Sequence, residues 1–430
     1  MNLSNKPLEK LNVLSFKGVQ MRTFHITWLT FFACFFGWFG LAPLMPTIRE
    51  DLGLTKAQVG NTVIAAVSAT IFARLLIGRL CDIWGPRKTY TALLVIGSIP
   101  VMLVGLANDY TSFLLFRLAI GIIGASFVIT QYHTTTMFAP KIKGTANAVA
   151  GGWGNLGGGV TLMVMPLIFA AIVGAGYTKH DAWRYAMIVP GMMLLVMAVI
   201  YYFFTQDTPA GNFSEINRKR ESKKFSWAVL ADWRVWALAF AYAVCFGMEI
   251  TFDGVATLHF VDSFKLDQSS AGFWAGVFGG MNLFARAVGG IIADKVGNKY
   301  GMKGKGWLLG IVLALEGLGL VLFSQANTLG FAIVAMLTFA MFLKMANGTT
   351  YAIVPFINQK HVGTVAGIVG AGGNVGGMLF GFLFKAESIT YAQAFMYIGA
   401  IVTVVALIVF LTRFDKVAQP ETAAQTAGAI

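Results

Sequence analysis

Phe72-Ala-Arg-Leu-Leu-Ile-Gly-Arg-Leu-Cys-Asp-Ile-Trp-Gly85 returns, at an offset of 212 residues, as Phe284-Ala-Arg-Ala-Val-Gly-Gly-Ile-Ile-Ala-Asp-Lys-Val-Gly297. Each copy sets one arginine, Arg74 or Arg286, inside an apolar segment eight residues before an aspartate. An arginine at the centre of a membrane helix costs about 2.5 kcal/mol or far more unless it faces a cavity or a partner. A chain that carries that cost twice, in register, is organised around the pair.

The segments around the pair are membrane spans. Over 430 residues the chain is 57% hydrophobic and only 12% charged, where a soluble domain carries about 25% charged residues. Twelve apolar stretches fall near 24–46, 57–80, 89–107, 111–137, 145–174, 184–204, 232–261, 270–292, 306–325, 328–354, 364–384 and 392–412. Most have the roughly 20 residues that a helix needs to cross a hydrocarbon core of about 30 Å. The alternating segments of a β-barrel are missing. The reading is an all-α polytopic membrane protein of twelve transmembrane helices in two pseudo-symmetric six-helix bundles. Its expected parts are an N-terminal bundle over 1–205, a cytoplasmic linker over 206–228, a C-terminal bundle over 229–415 and a cytoplasmic tail over 416–430.

The formal net charge of +13 does not point to nucleic acid, because the basic residues crowd the loops of one side. Lys6, Lys10, Lys17 and Arg22 precede the first span, and Arg87 and Lys88 follow the second. Lys141 and Lys143 follow the fourth, and Arg218, Lys219, Arg220, Lys223 and Lys224 the sixth. Lys295, Lys299, Lys303 and Lys305 follow the eighth. Positive loops stay inside, so both termini are expected in the cytoplasm and the protein as a multi-pass protein of the cell inner membrane. Proteins of this two-bundle architecture usually work as monomers, and a monomer is expected. The polar start leads into a full-length span and is not read as a cleaved signal. Cys34, Cys81 and Cys245 are scattered among the spans and read as small apolar residues, so no metal and no cofactor is expected. Nothing here reads as an enzyme.

The repeat extends beyond the arginines. Gly144-Thr-Ala-Asn-Ala-Val-Ala-Gly-Gly-Trp-Gly-Asn-Leu-Gly-Gly-Gly159 matches Gly363-Thr-Val-Ala-Gly-Ile-Val-Gly-Ala-Gly-Gly-Asn-Val-Gly-Gly-Met378 at an offset of 219. Six spans per repeat give both copies one orientation, with a site expected at their interface near the midplane. Arg74 and Arg286 lie roughly 12 Å in from the inner helix ends and Asn155 and Asn374 roughly 16 Å in, at about 1.5 Å per residue. These four are the expected substrate-binding residues. A guanidinium stays charged, and its planar fork suits trigonal oxyanions. A salt bridge to an internal carboxylate is the competing reading, weakened by the symmetry of the pair. Gly151, Gly154, Gly157 and Gly158 in one copy, and Gly372, Gly373, Gly376 and Gly377 in the other, read as close helix packing.

Two acids in span seven, Glu249 and Asp253, share a helix face four residues apart. They are proton-coupling candidates, with charge balance for Arg286, Arg117 or Lys344 an equal alternative. Glu316 and Lys344 are unassigned. Asp82, Arg87 and Asp294, at helix ends, read as a conformational latch that makes charge-assisted bonds in one state and breaks them in another.

Gly78-x3-Asp82-x2-Gly85-x-Arg87-Lys88 resembles the loop motif of the major facilitator superfamily. The doubled glycine stretches around Asn155 and Asn374 resemble those of its nitrate/nitrite porter family, over essentially the whole chain. The resemblance implies a nitrate clamp of Arg74 and Arg286, shaped by Asn155 and Asn374. Phe-Gly-Met-Glu-Ile-Thr-Phe-Asp253 looks closer to the proton-coupled branch. Phe252 falls where some exchangers carry a tyrosine, so no phenol contact is carried over. The implied function is a secondary active transporter that moves nitrate, and nitrite with it, by alternating access. Nitrate/proton symport for uptake leads, and electroneutral nitrate/nitrite antiport is the alternative. A carrier of another small organic anion or phosphate ester comes behind both.

Overall fold

Residues 6–139, 142–216, 229–358 and 362–416 are described by the structure, a computed structural model. Lys141, the basic residues of 218–224 and the tail after Lys416 lie outside them. The first half contains α1 (Val19–Phe39), α2 (Met45–Asp51), α3 (Lys56–Trp84), α4 (Pro86–Leu103), α5 (Tyr110–Ile120), α6 (Ser126–Met137), α7 (Lys143–Gly174), α8 (Lys179–Ala186) and α9 (Ile188–Phe204). The second contains α10 (Trp233–Phe264), α11 (Gln268–Gly280), α12 (Ala285–Ser324), α13 (Leu329–Ile357), α14 (Val362–Lys385) and α15 (Tyr391–Leu411). No β-strand occurs among the described residues, only two isolated bridges.

Among the described residues, eleven segments are long and apolar enough to cross a membrane. One of them, Gln268–Ser324, has 57 residues, roughly 85 Å at about 1.5 Å per residue. That is two crossings, joined at Gly301, whose φ of 64° and ψ of −159° break the helical path inside α12. The eleven segments therefore accommodate the twelve spans read from the sequence.

The ends of the molecule are distinct. At the end opposite the basic loops, here the far end, helices start on side-chain caps at matching positions of the two halves. Thr55 caps α3 and Asp267 caps α11, Asp109 caps α5 and Thr328 caps α13, and Thr178 caps α8 and Thr390 caps α15. Each side-chain oxygen satisfies a backbone N–H that the first helical turn leaves without a partner.

Packing repeats the symmetry. In the first half α1 packs on α7 and α4 on α9; in the second α10 packs on α14 and α12 on α15. Across the halves, α7 meets α11 and α3 meets α14. The windows of α1 and α10 are each 83% buried, which makes these two the central helices. The far ends of the halves are pinned together. Arg49 holds Asp262 through two hydrogen bonds of 2.8 Å, and Thr47 Oγ1 donates to Gln268 Oε1 at 2.6 Å. The Lys56 ammonium donates to the carbonyls of Ala386 and Ile389. Beside this seal lies a cavity of about 510 Å³, lined by both halves.

Candidate functional site

Helix α3 turns Phe72, Leu75 and Leu76 outward, at 74%, 74% and 60% exposed, and Arg74 inward at 8%. Helix α12 does the same with Phe284 at 51% and Arg286 at 4%. Both costly side chains are thus withdrawn from the lipid-facing surface toward the centre. Arg74 Nη1 donates to the carbonyl of Gly370 on α14 at 2.9 Å, and its guanidinium lies 5.3 Å from the centre of the Phe127 ring. Arg286 Nη2 donates to the Tyr242 hydroxyl at 3.0 Å. Tyr351 joins the two sides. Its ring is 6.1 Å from Phe127 and 5.0 Å from Tyr242, and it is within Coulombic reach of both guanidiniums.

What these groups leave unbonded defines the site. Arg74 Nε and Nη2, Arg286 Nη1, both amide atoms of Asn155 and Asn374 Oδ1 are buried without a hydrogen-bond partner. The Asn374 amide nitrogen donates to Gly370 O at 3.2 Å, so that carbonyl serves Arg74 and Asn374 together. Buried donors are rarely left idle, because each costs about 1–3 kcal/mol, more when charged. Idle donors on two cations, in a ring-lined space, fit a small planar anion.

The glycine stretches set these distances. A Cβ at Gly157 would run into the carbonyl of Phe32 on α1, and one at Gly376 into the carbonyl of Ala243 on α10. Gly157 and Gly376 are related by the offset of 219 residues of the glycine repeat, and their partners lie on α1 and α10, the first helix of each half. Gly159 lies against Gly279 of α11, and Gly152 against the Asn282 carbonyl. Helix α7 is thereby brought to the break between α11 and α12, a 3₁₀ turn over Met281–Leu283, three residues before Arg286. Gly-Gly at 279–280 was the sequence signal for that break.

The two acids of α10 have different surroundings. Glu249 is 2.7 Å from the Lys344 ammonium and accepts from Asn282 Nδ2 at 2.7 Å and Asn347 Nδ2 at 2.6 Å. Asp253 Oδ1 is buried without a partner, and Gly158 of α7 faces its other oxygen. Phe252 lies away from the arginines, in a cluster with Phe278, Phe323, Phe339 and Phe395. The phenol beside Arg286 comes instead from Tyr242, ten residues earlier on the same helix.

At the basic end, Asp82 is exposed, and Asp294 pairs with Lys305 at 2.8 Å within its own half. The Arg87 side chain donates to the Tyr202 carbonyl and covers the Tyr202 ring. The carboxylate that holds this loop is Asp207, which sequence reasoning missed. It accepts from the backbone N–H groups of Arg87 at 2.9 Å and Phe213 at 3.0 Å. Burial raises its pKa, against the pull of those donors and of Arg87. Gly85 is pressed so closely on it that a Cβ there would collide. Asp-Thr-Pro-Ala-Gly, a turn-forming run at 207–211, was the available signal.

The family model of the Major Facilitator Superfamily matches residues 27–381. High affinity nitrate transporter 2.5 of Arabidopsis thaliana is 38% identical over 87% of this chain and 75% of its own. The nitrate/nitrite transporter NrtP of Picosynechococcus is 30% identical over 85% of each chain. Among solved structures, a bacterial homologue of the human lysosomal transporter Spinster superposes with a TM-score of 0.73 at 15% identity, covering 94% of this chain and 99% of that one. The inward-open xylose transporter XylE of E. coli gives 0.68 at 13%, covering 94% and 98%; both likenesses concern the fold. With its halves, paired arginines and glycine-packed helices in place, this chain belongs to the major facilitator superfamily and, within it, to the nitrate/nitrite porter family.

Proposed function

We propose that this protein takes up nitrate, and nitrite with it, across the cell inner membrane by alternating access. The observation that carries the reading is the set of idle N–H groups on Arg74 and Arg286, together with a buried Asn155 amide that likewise has no partner among the described residues. A flat monovalent anion between the guanidiniums would satisfy those donors and offset the repulsion between the cations. Relatives named as nitrate transporters match over most of the chain, which supports that choice of anion. With the basic loops in the cytoplasm, the Arg49–Asp262 seal lies on the outer side, and Asp82, Arg87 and Asp294, the residues of the proposed latch, lie on the inner side.

Anion entry against an inside-negative potential costs about 2.3 kcal/mol per 100 mV, so the carrier needs a co-substrate or an exchange partner. Symport with protons is favoured by the unpartnered Asp253 oxygen beside α7, a group that exchange with internal nitrite does not require. The protein works as a monomer. The test of the anion site is nitrate binding to wild type, Arg74→Lys and Arg286→Lys: lysine keeps the charge and loses the fork. Unchanged affinity in both variants would remove the clamp. Glycerol phosphate should not compete with nitrate, and excess nitrite should.

A further inference from the structure

The C-terminal half buries a second polar cluster, only partly used above. Lys344 is completely buried; its ammonium lies against Glu249 and 4.2 Å from the centre of the Phe278 ring. The Lys344 ammonium pairs with one Glu249 oxygen at 2.7 Å, and Asn282 and Asn347 each donate a hydrogen bond, one to each oxygen. A buried ion pair whose carboxylate accepts two hydrogen bonds as well keeps its charges. Glu316 of α12 is the opposite case. It is fully buried, and neither of its carboxyl oxygens has a hydrogen-bond partner. Asp253, one turn beyond Glu249, has one oxygen in the same condition.

The charged and titratable groups facing these two carboxyls are few. Glu316 is within electrostatic reach of Lys344 of α13 and of Glu249 and Cys245 of α10, while α15 presents Thr403 to the neighbouring Gly317. Asp253 is within electrostatic reach of Lys344 and Glu249, with Gly158 from α7 against it. Arg286 acts on Glu249. The one ammonium in the cluster is matched to Glu249, which leaves no counter-ion for two further carboxylates. An unpaired carboxylate in such a place costs several kcal/mol, whereas a neutral carboxyl group does not carry that cost.

The far-end cavity is walled in part by the same two helices that carry these acids. Its wall includes Val255, Leu258 and His259 of α10 and Phe323 and Ser324 of α12. Val255 is two residues from Asp253 and Ser324 eight from Glu316, about 3 Å and 12 Å along their helices.

We propose that Glu316 and Asp253 are the proton-binding groups of this carrier, with Lys344–Glu249 the standing ion pair between them. The assignment rests on the symport reading and deepens it. Each carboxylate accepts one proton from hydronium arriving from the far side, an O–H bond forming as one of hydronium's breaks and leaves water, and gives it back to water on the basic side as hydronium. Two protons with one nitrate make the inward step carry one net positive charge. When the protons leave, the bare carboxylates draw Lys344 from Glu249. Glu249 is then released toward Arg286, where it competes with the anion and expels it.

The experiment uses the full chain in proteoliposomes with no internal nitrate or nitrite. Nitrate accumulation is measured under an inward proton gradient of one pH unit, with counterflow at equal pH in parallel. One pH unit is worth about tenfold per proton, so Glu316→Gln should lower the accumulation ratio by that factor while counterflow persists, and Glu316→Asp should restore coupling. Wild type that takes up nitrate only against internal nitrite would overturn symport and this assignment together. Proton-driven wild type with an equally proton-driven Glu316→Gln would overturn this assignment alone. Should Glu316→Gln fail to fold, infrared spectra of wild type decide the matter. A protonated-carboxyl band that shifts in D₂O at neutral pH is expected, and its absence would overturn the proposal.

Discussion

Tyr242 shows how the site divides its work between charge and shape. Its ring stacks on Phe246 at 4.9 Å, and its hydroxyl is the one hydrogen-bond acceptor seen for Arg286. Tyr242→Phe should keep the stacking and free the guanidinium to swing. Nitrate binding is expected to weaken by roughly tenfold, about 1.4 kcal/mol, and an unchanged dissociation constant would place the phenol outside the site. For Arg74→Lys or Arg286→Lys the expected loss is roughly 10- to 100-fold, from a charge-assisted hydrogen bond of about 1.5–3 kcal/mol. Glu249→Gln should act on stability instead. It leaves the buried Lys344 ammonium uncompensated, a loss of about 3–5 kcal/mol. Thermal unfolding in detergent should show that loss and its recovery in the double variant Glu249→Gln with Lys344→Met. The arginines and asparagines were legible in the sequence because a repeat singles them out. Tyr242 and Tyr351 were not: an aromatic in a span is usually packing, and only tertiary contact distinguishes theirs.

At the level of the helix, the glycines act through absence of volume. Gly376 has the Ala243 carbonyl where a Cβ would go, while Gly367, nine residues earlier on α14, has nothing within 4 Å. Gly376→Ala should therefore destabilise by about 1–3 kcal/mol through overpacking, and Gly367→Ala should not. Melting temperatures of the two variants check this, and equal shifts would refute the contact. Gly157→Ala on α7 should behave like Gly376→Ala, being its symmetric counterpart. Helix number and order were legible because each crossing needs a long apolar run. The form of the join inside α12 was not: the basic stretch between spans eight and nine reads as a loop, yet it stays helical and departs from the helical path only at Gly301. Asp207 escaped for a related reason. Its helix had ended, its turn looked like linker, and nothing local showed that it would be buried under Gly85.

For the whole molecule, the far-end seal is a set of contacts between the halves that has to break for that end to open. Arg49→Gln or Asp262→Asn removes a pair that is 30% and 27% exposed, worth about 1 kcal/mol or less. Even that amount moves a two-state equilibrium by a few-fold. A cysteine placed at Val255, in the wall of the far-end cavity, should react faster with a membrane-impermeant thiol reagent once the pair is broken. An unchanged rate would remove the seal from the gating step. The sequence disclosed the two-bundle plan, but not the far-end seal. Arg49 and Asp262 lie just past the ends of two apolar stretches, 213 residues apart, and only the docking of the halves brings them together.

That partial exposure also makes dissolved salt a control on the carrier. Ions screen a surface pair within about 10 Å at 0.1 M, whereas the Glu249–Lys344 pair, at 1% and 0% exposed, is beyond their reach. Raising ionic strength with an inert salt should loosen the outer door and leave the buried charges as they are. A cell in brine and a cell in fresh water would then run the same polypeptide with different resting populations of its two states.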